Sequence, residues 1–108
     1  MELRGTLTTI GSLPVLEVSG EIDLATLPLL RDHLARAVDA HRGAVLYVDV
    51  EGVSALDDTG LGMLLGAAGR ARESGGDLVL VCTGERLRRR FELTGLDRAV
   101  VVRDGLPR

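Results

Sequence analysis

No lysine or tryptophan occurs in this chain of 108 residues, and it holds a single cysteine, a single phenylalanine and a single tyrosine. Each shortage removes a class of function. One cysteine cannot close an internal disulfide, and Cys82 sits in the apolar run Leu78-Val79-Leu80-Val81-Cys82, so it reads as a buried strand residue in a reducing, cytoplasmic protein. Aromatic residues make up 2% of the chain, too few for a base-stacking platform, and the net charge of −3 is dispersed over both signs. Neither nucleic acid nor an anionic membrane surface is therefore expected as a partner. No apolar run approaches the ~20 residues a membrane helix needs, and no basic-then-apolar segment opens the chain, so neither membrane insertion nor export is expected. His33 and His41 have no cysteine or third histidine in reach, which leaves no metal site and no cofactor. That every basic residue is arginine reads as codon bias in a GC-rich genome.

What the chain does contain is alternation. Leu3 to Ile10 and Val15 to Val18 flank Gly11-Ser12-Leu13-Pro14 and form a hairpin pattern. Leu27, Leu30, Leu34, Ala37 and Val38 recur at helical spacing through about His41, with Thr26 or Asp23 as cap, Pro28 in the first turn and Gly43 as the stop. Ala44 to Val50 is apolar nearly throughout, the pattern of a central strand covered on both faces. A second helix is expected from about Thr59 to Glu73, closed by Ser74-Gly75-Gly76. Then come a strand from Leu78 to Cys82, a third helix from Thr83 or Gly84 to Gly95 with Leu87 and Phe91 inward, and a last strand from Ala99 to Val102. Strands alternating with helices after a hairpin predict an α/β fold: a single domain over residues 1–108, with a mixed β-sheet opened by the N-terminal hairpin and backed by helices. Residues 104–108 read as a frayed tail.

The rest is organised around Ser54 to Gly66, where a turn carrying two carboxylates and a hydroxyl opens into a glycine-spaced helix. Asp57 or Asp58 suits the N-cap, and Leu61, Leu64, Leu65 and Ala68 mark one helical face. Gly62, Gly66 and Gly69 each cost on the order of 1 kcal/mol relative to alanine, ~3 kcal/mol together. Such a cost implies either a backbone packed closely on that face or a partner approaching it.

These residues also carry a family likeness. Leu56-Asp57-Asp58-Thr59-Gly60-Leu61-Gly62-Met63-Leu64-Leu65-Gly66 resembles the Asp-Ser-Ser/Thr-Gly-Leu-Gly-x-x-Leu-Gly signature of the STAS domain, as found in bacterial anti-sigma factor antagonists. Gly20-Glu21-Ile22-Asp23 resembles the family's Gly-Glu-Leu-Asp turn, and Phe91-Glu92-Leu93-Thr94-Gly95-Leu96 its Phe-x-x-x-Gly-Leu. The resemblance implies the STAS fold over nearly the whole chain and a non-catalytic regulator of transcription. Such a regulator binds an anti-sigma factor, an ATP-dependent serine/threonine kinase, and so frees a sigma factor. Phosphorylation of a serine blocks that binding, and Asp58 stands where the family places this serine. Partner contacts are implied at Glu21, Asp23, Asp57, Asp58, Thr59, Gly60, Leu61 and Gly62. Three consequences of Asp58 stay open: a permanent mimic of phosphoserine, a docking residue to which the partner has adapted, or control moved to Thr59 as phospho-acceptor. A fourth is bland, with Asp58 and Thr59 serving only the helix start.

Other readings of the same residues exist. A STAS subunit of a different assembly, such as the partner of a lipid-transport ATPase or a stress-signalling complex, is the runner-up. An enzyme using Asp57 or Asp58 is a weak third, because neighbouring side chains in a turn point apart while an acid/base pair must converge on one bond. A phospho-accepting receiver domain would need an acidic pair after its first strand and a late lysine, both missing here. Arg86, Arg88, Arg89 and Arg90 read as the solvated side of an amphipathic helix, Arg88 and Arg89 lying opposite Leu87 and Phe91.

Overall fold

The computed structural model describes residues 3–107. Strands β1 (Arg4–Ile10) and β2 (Leu13–Ile22) form the hairpin, followed by α1 (Leu27–Ala40), β3 (Val45–Leu56), α2 (Asp58–Glu73), β4 (Asp77–Val81), α3 (Glu85–Thr94), α4 (Leu96–Ala99) and β5 (Val101–Arg103). The sheet order is β1-β2-β3-β4-β5, antiparallel between the first two strands and parallel thereafter. This is the mixed, helix-backed α/β sheet that the alternation implied. The hairpin turn is tighter than expected. Gly11 takes a φ of +63° and only Gly11 and Ser12 lie outside the strands, so Leu13 and Pro14 pair with Ile10 and Thr9.

β3 is central, as expected, but it differs in two ways from the fully covered strand read from Ala44 to Val50. Leu46, Val48 and Val50 face the helices and join Leu16, Val18, Leu78 and Leu80 in one buried cluster, whereas Glu51 on the other face is exposed. The strand also runs on to Leu56, past the polar residues at which the apolar pattern stops. A register irregularity allows this, since β2 and β3 shift between Glu17/Ser19 and again between Gly20/Glu21. Val15, Val79 and Val81 are buried outside the cluster, on the opposite sheet face, where Val15, Tyr47, Val79 and Val101 stand in successive register.

Helix ends follow the punctuation of the chain. Gly75, with φ +87°, closes α2 together with hydrogen bonds from Gly76 N–H to Ala71 O at 2.9 Å and from Gly75 N–H to Arg72 O at 3.0 Å. Gly95, with φ +79°, separates α3 from α4, a short helix placed where a strand was expected to begin. Ala99 therefore ends a helix; Val100 N–H still donates to Leu96 O at 2.9 Å, and β5 starts one residue later. His33 is half-buried against the β1 backbone: a Cβ on Gly5 would sit 2.5 Å from its ring.

Candidate partner-docking site

Parallel pairing of β2 with β3 brings two loops together at the carboxyl end of the sheet. Ile22 is in register with Leu56, and Asp57 N–H donates to Ile22 O at 3.2 Å. The Glu21–Asp23 segment and the Asp57–Thr59 segment, distant in sequence, are thus neighbours.

Asp57 is the N-cap of α2. Its Oδ1 accepts from Gly60 N–H at 3.0 Å and from the Thr59 hydroxyl at 2.7 Å. These bonds hold its carboxyl below the usual carboxylate range, the Thr59 hydroxyl most strongly, with the Arg90 guanidinium adding to them. Asp58, the first residue of the helix, turns the other way. Its side chain is 88% exposed, and its Oδ1 accepts from Arg90 Nη2 at 2.7 Å. The two carboxylates therefore serve different partners and do not converge.

Glycine is required at Gly60 and not at the other positions of the helix. A Cβ at Gly60 would lie 2.5 Å from Ile22 Cγ2 and 2.7 Å from Leu56 Cδ1, so the helix start lies flat on the ends of both strands. Gly62 and Gly69 would meet nothing within 4 Å, and Gly66 only the tip of Arg70 at 3.9 Å. Among the described residues no backbone packs against those three, which removes one of the two explanations for their cost. Leu65 belongs with them: it was expected inward but is 43% exposed, while Leu61, Leu64, Ala67, Ala68 and Ala71 form the buried stripe. Leu61, Gly62 and Leu65 line one wall of a groove of about 170 Å³, with Thr94, Leu96 and Ala99 opposite.

Across the junction, Asp23 and Thr26 lock each other. Asp23 Oδ1 accepts from Thr26 N–H at 3.1 Å, and the Thr26 hydroxyl accepts from Asp23 N–H at 3.0 Å and donates to Glu21 O at 2.8 Å. Thr26 occupies the cap position of α1 without capping it; its side chain ties down the preceding turn instead. Beside it Leu24 is 77% exposed, an apolar residue at the acidic turn that no helical or strand periodicity singled out.

The arginines of α3 form the third wall. Only Arg89 fits the solvated face that was expected. Arg86 Nη2 donates to Ser54 O at 3.2 Å, Arg88 Nη1 to Cys82 O at 3.0 Å, and Arg90 reaches Asp58. Thr83 donates from its N–H and its hydroxyl to the two oxygens of Glu51, each at 2.5 Å, joining β3 to the segment that leads into α3. Burial pushes the Cys82 thiol above its usual range. Among the described residues no cluster of histidine, cysteine, aspartate or glutamate is placed to hold a metal ion, and no helix is long and apolar enough to cross a membrane.

Fold and loop together define a class: a two-layer α/β domain presenting an exposed acidic loop and a glycine-paved helix face at one end of a mixed sheet. The chain belongs to the STAS domain family, whose match spans residues 6–106. It is 40% identical over 79 residues to the anti-sigma-B factor antagonist of Bacillus subtilis, covering 73% of this chain and 71% of that protein. The anti-sigma-B factor antagonist of Staphylococcus aureus is 33% identical over 106 residues, covering 97% and 96%. Among solved structures, an anti-sigma factor antagonist from Mycobacterium paratuberculosis matches with a TM-score of 0.85 at 28% identity, over 97% of this chain and 88% of that one.

Proposed function

We propose that this chain is an anti-sigma factor antagonist: it binds an anti-sigma factor of the serine/threonine-kinase type and so frees a sigma factor. The observation that carries this reading is the exposed start of α2, where Asp58 lies beside the Glu21–Asp23 turn, at the position that the sequence resemblance equates with the family's phosphorylated serine. With Asp57 capping the helix and Asp58 paired to Arg90, the loop is a docking surface and no acid/base pair. A carboxylate at position 58 offers the kinase no hydroxyl. The antagonist is therefore constitutively active at that position, and its partner accepts the carboxylate. Thr59 is the remaining hydroxyl in the loop, and its hydrogen goes to Asp57.

Calorimetric titration of wild type, Asp58→Ser and Thr59→Glu against the organism's anti-sigma kinases, first with ADP and then with ATP, tests the reading. Wild type is expected to bind in both nucleotides, Asp58→Ser to bind in ADP and be released in ATP, and Thr59→Glu to bind weakly. ATP-dependent release of wild type with phosphate on Thr59 would move the switch to that residue. Absence of binding by every form would reject the sigma-factor reading.

A further inference from the structure

We infer that Arg90 is a positioning residue for docking: it draws Asp58 back onto the domain and cancels its charge, so that the partner meets a neutral pair where the loop alone would offer an uncovered carboxylate. The inference rests on the proposed function and adds the element that makes Asp58 compatible with it. Arg90 Nη2 lies 2.7 Å from Asp58 Oδ1, and the guanidinium is more enclosed than its partner, with a side chain 36% exposed against 88%. Its Nε is buried, so the base of the guanidinium is enclosed by the domain while its Nη2 reaches Asp58. One helical turn earlier Arg86 is tied to Ser54 O, which fixes the same face of α3 against the junction of β3 and α2. A pair this exposed contributes little to folding. Its effect falls on whatever covers the loop, because an interface that buries one charge of a pair without the other is strongly penalised.

The charge balance separates this chain from a phosphorylated relative. One guanidinium matches a single carboxylate charge, whereas a phosphoserine carries about −1.5 to −2 and would leave an excess. Arg90 therefore distinguishes an aspartate that permits docking from a phosphate that forbids it. Nothing in the sequence links the two positions, which stand 32 residues apart on different helices.

A double-mutant cycle with the anti-sigma kinase in ADP tests the inference, using wild type, Arg90→Gln, Asp58→Ser and the double variant, with Arg90→Lys as the charge-conserving control. Arg90→Gln is expected to weaken binding on the order of tenfold when Asp58 is present and less than about twofold when residue 58 is serine, with Arg90→Lys recovering most of the loss. Equal losses in both backgrounds, or no recovery by lysine, would overturn the inference while leaving the proposed function intact, since wild type still binds. No binding by any of the five forms would reject the proposed function, and the role of Arg90 with it.

Discussion

Replacing Gly62, Gly66 and Gly69 of α2 by alanine should strengthen the fold and weaken the protein's work. A methyl at Gly62 or Gly69 meets no atom within 4 Å, and at Gly66 only a flexible arginine tip at 3.9 Å. Nothing offsets the helix propensity that glycine forgoes. Each substitution should therefore stabilise by about 0.8–1 kcal/mol, and the three together by about 2–3 kcal/mol. For a domain near this size that raises the melting temperature by roughly 10–20 °C. Gly60→Ala provides the opposite sign, because its methyl would fall 2.5 Å from Ile22 and 2.7 Å from Leu56; overpacking there should cost about 1–3 kcal/mol. Urea denaturation followed by far-ultraviolet circular dichroism is the assay, since the chain has no tryptophan to report by fluorescence. Affinity for the anti-sigma factor should fall in the stabilised variants, most for Gly62→Ala, whose methyl stands nearest the loop. A destabilised Gly62→Ala would refute the open-face geometry. Full stabilisation with unchanged affinity would refute the idea that the glycines are kept for docking.

Further expectations follow from the interior and the edges. Phe91, the single phenylalanine and fully buried, should cost about 3–5 kcal/mol as Phe91→Ala, read from the same denaturation curves. Glu51 and Asp57 have carboxyls held below the usual range by Thr83 and Thr59 respectively. A depressed folded-state value stabilises above the unfolded carboxylate range and is lost as pH falls through the folded value, so stability should drop below about pH 4. A Thr59→Val, Thr83→Val double variant should show a flatter acid limb, and an unchanged limb would count against both contacts. Cys82 is buried with its thiol pushed up, so a thiol reagent at mildly alkaline pH should label it only as fast as the protein opens, with the rate rising in urea.

Much of the architecture was legible because the chain punctuates itself. Gly11, Gly43, Gly75 and Gly95 all take positive φ at the turns where breaks were expected, and Asp57 caps α2 as one of two candidates. Errors arose where tertiary pairing overrides local pattern. β3 continues through Glu51 and Ser54 because an irregular register with β2 carries it past the polar residues, and α4 takes in Ala99, which the sequence pattern joins to the valines that follow it as a strand start. Leu65 was misplaced because a helix face with a glycine every few residues has a weak apolar signature on either side. The candidate site was named from its signature at Asp57 to Gly62 and its turn at Glu21 to Asp23, and the pairing of Ile22 with Leu56 makes the two segments neighbours. Arg86 and Arg90 were not legible as part of it: an amphipathic helix displays its arginines alike, and only the fold shows which of them reach another element.

The central claim is that this chain liberates a sigma factor without being silenced at position 58. The most direct measurement adds the purified chain to a preformed complex of the anti-sigma kinase with its sigma factor, in ADP and in ATP, and follows sigma release by promoter-dependent transcription. Release to the same extent in both nucleotides is the predicted result, with Asp58→Ser active in ADP and declining in ATP. No release by wild type while Asp58→Ser succeeds would contradict the account and make Asp58 a built-in mimic of the phosphorylated, inactive state.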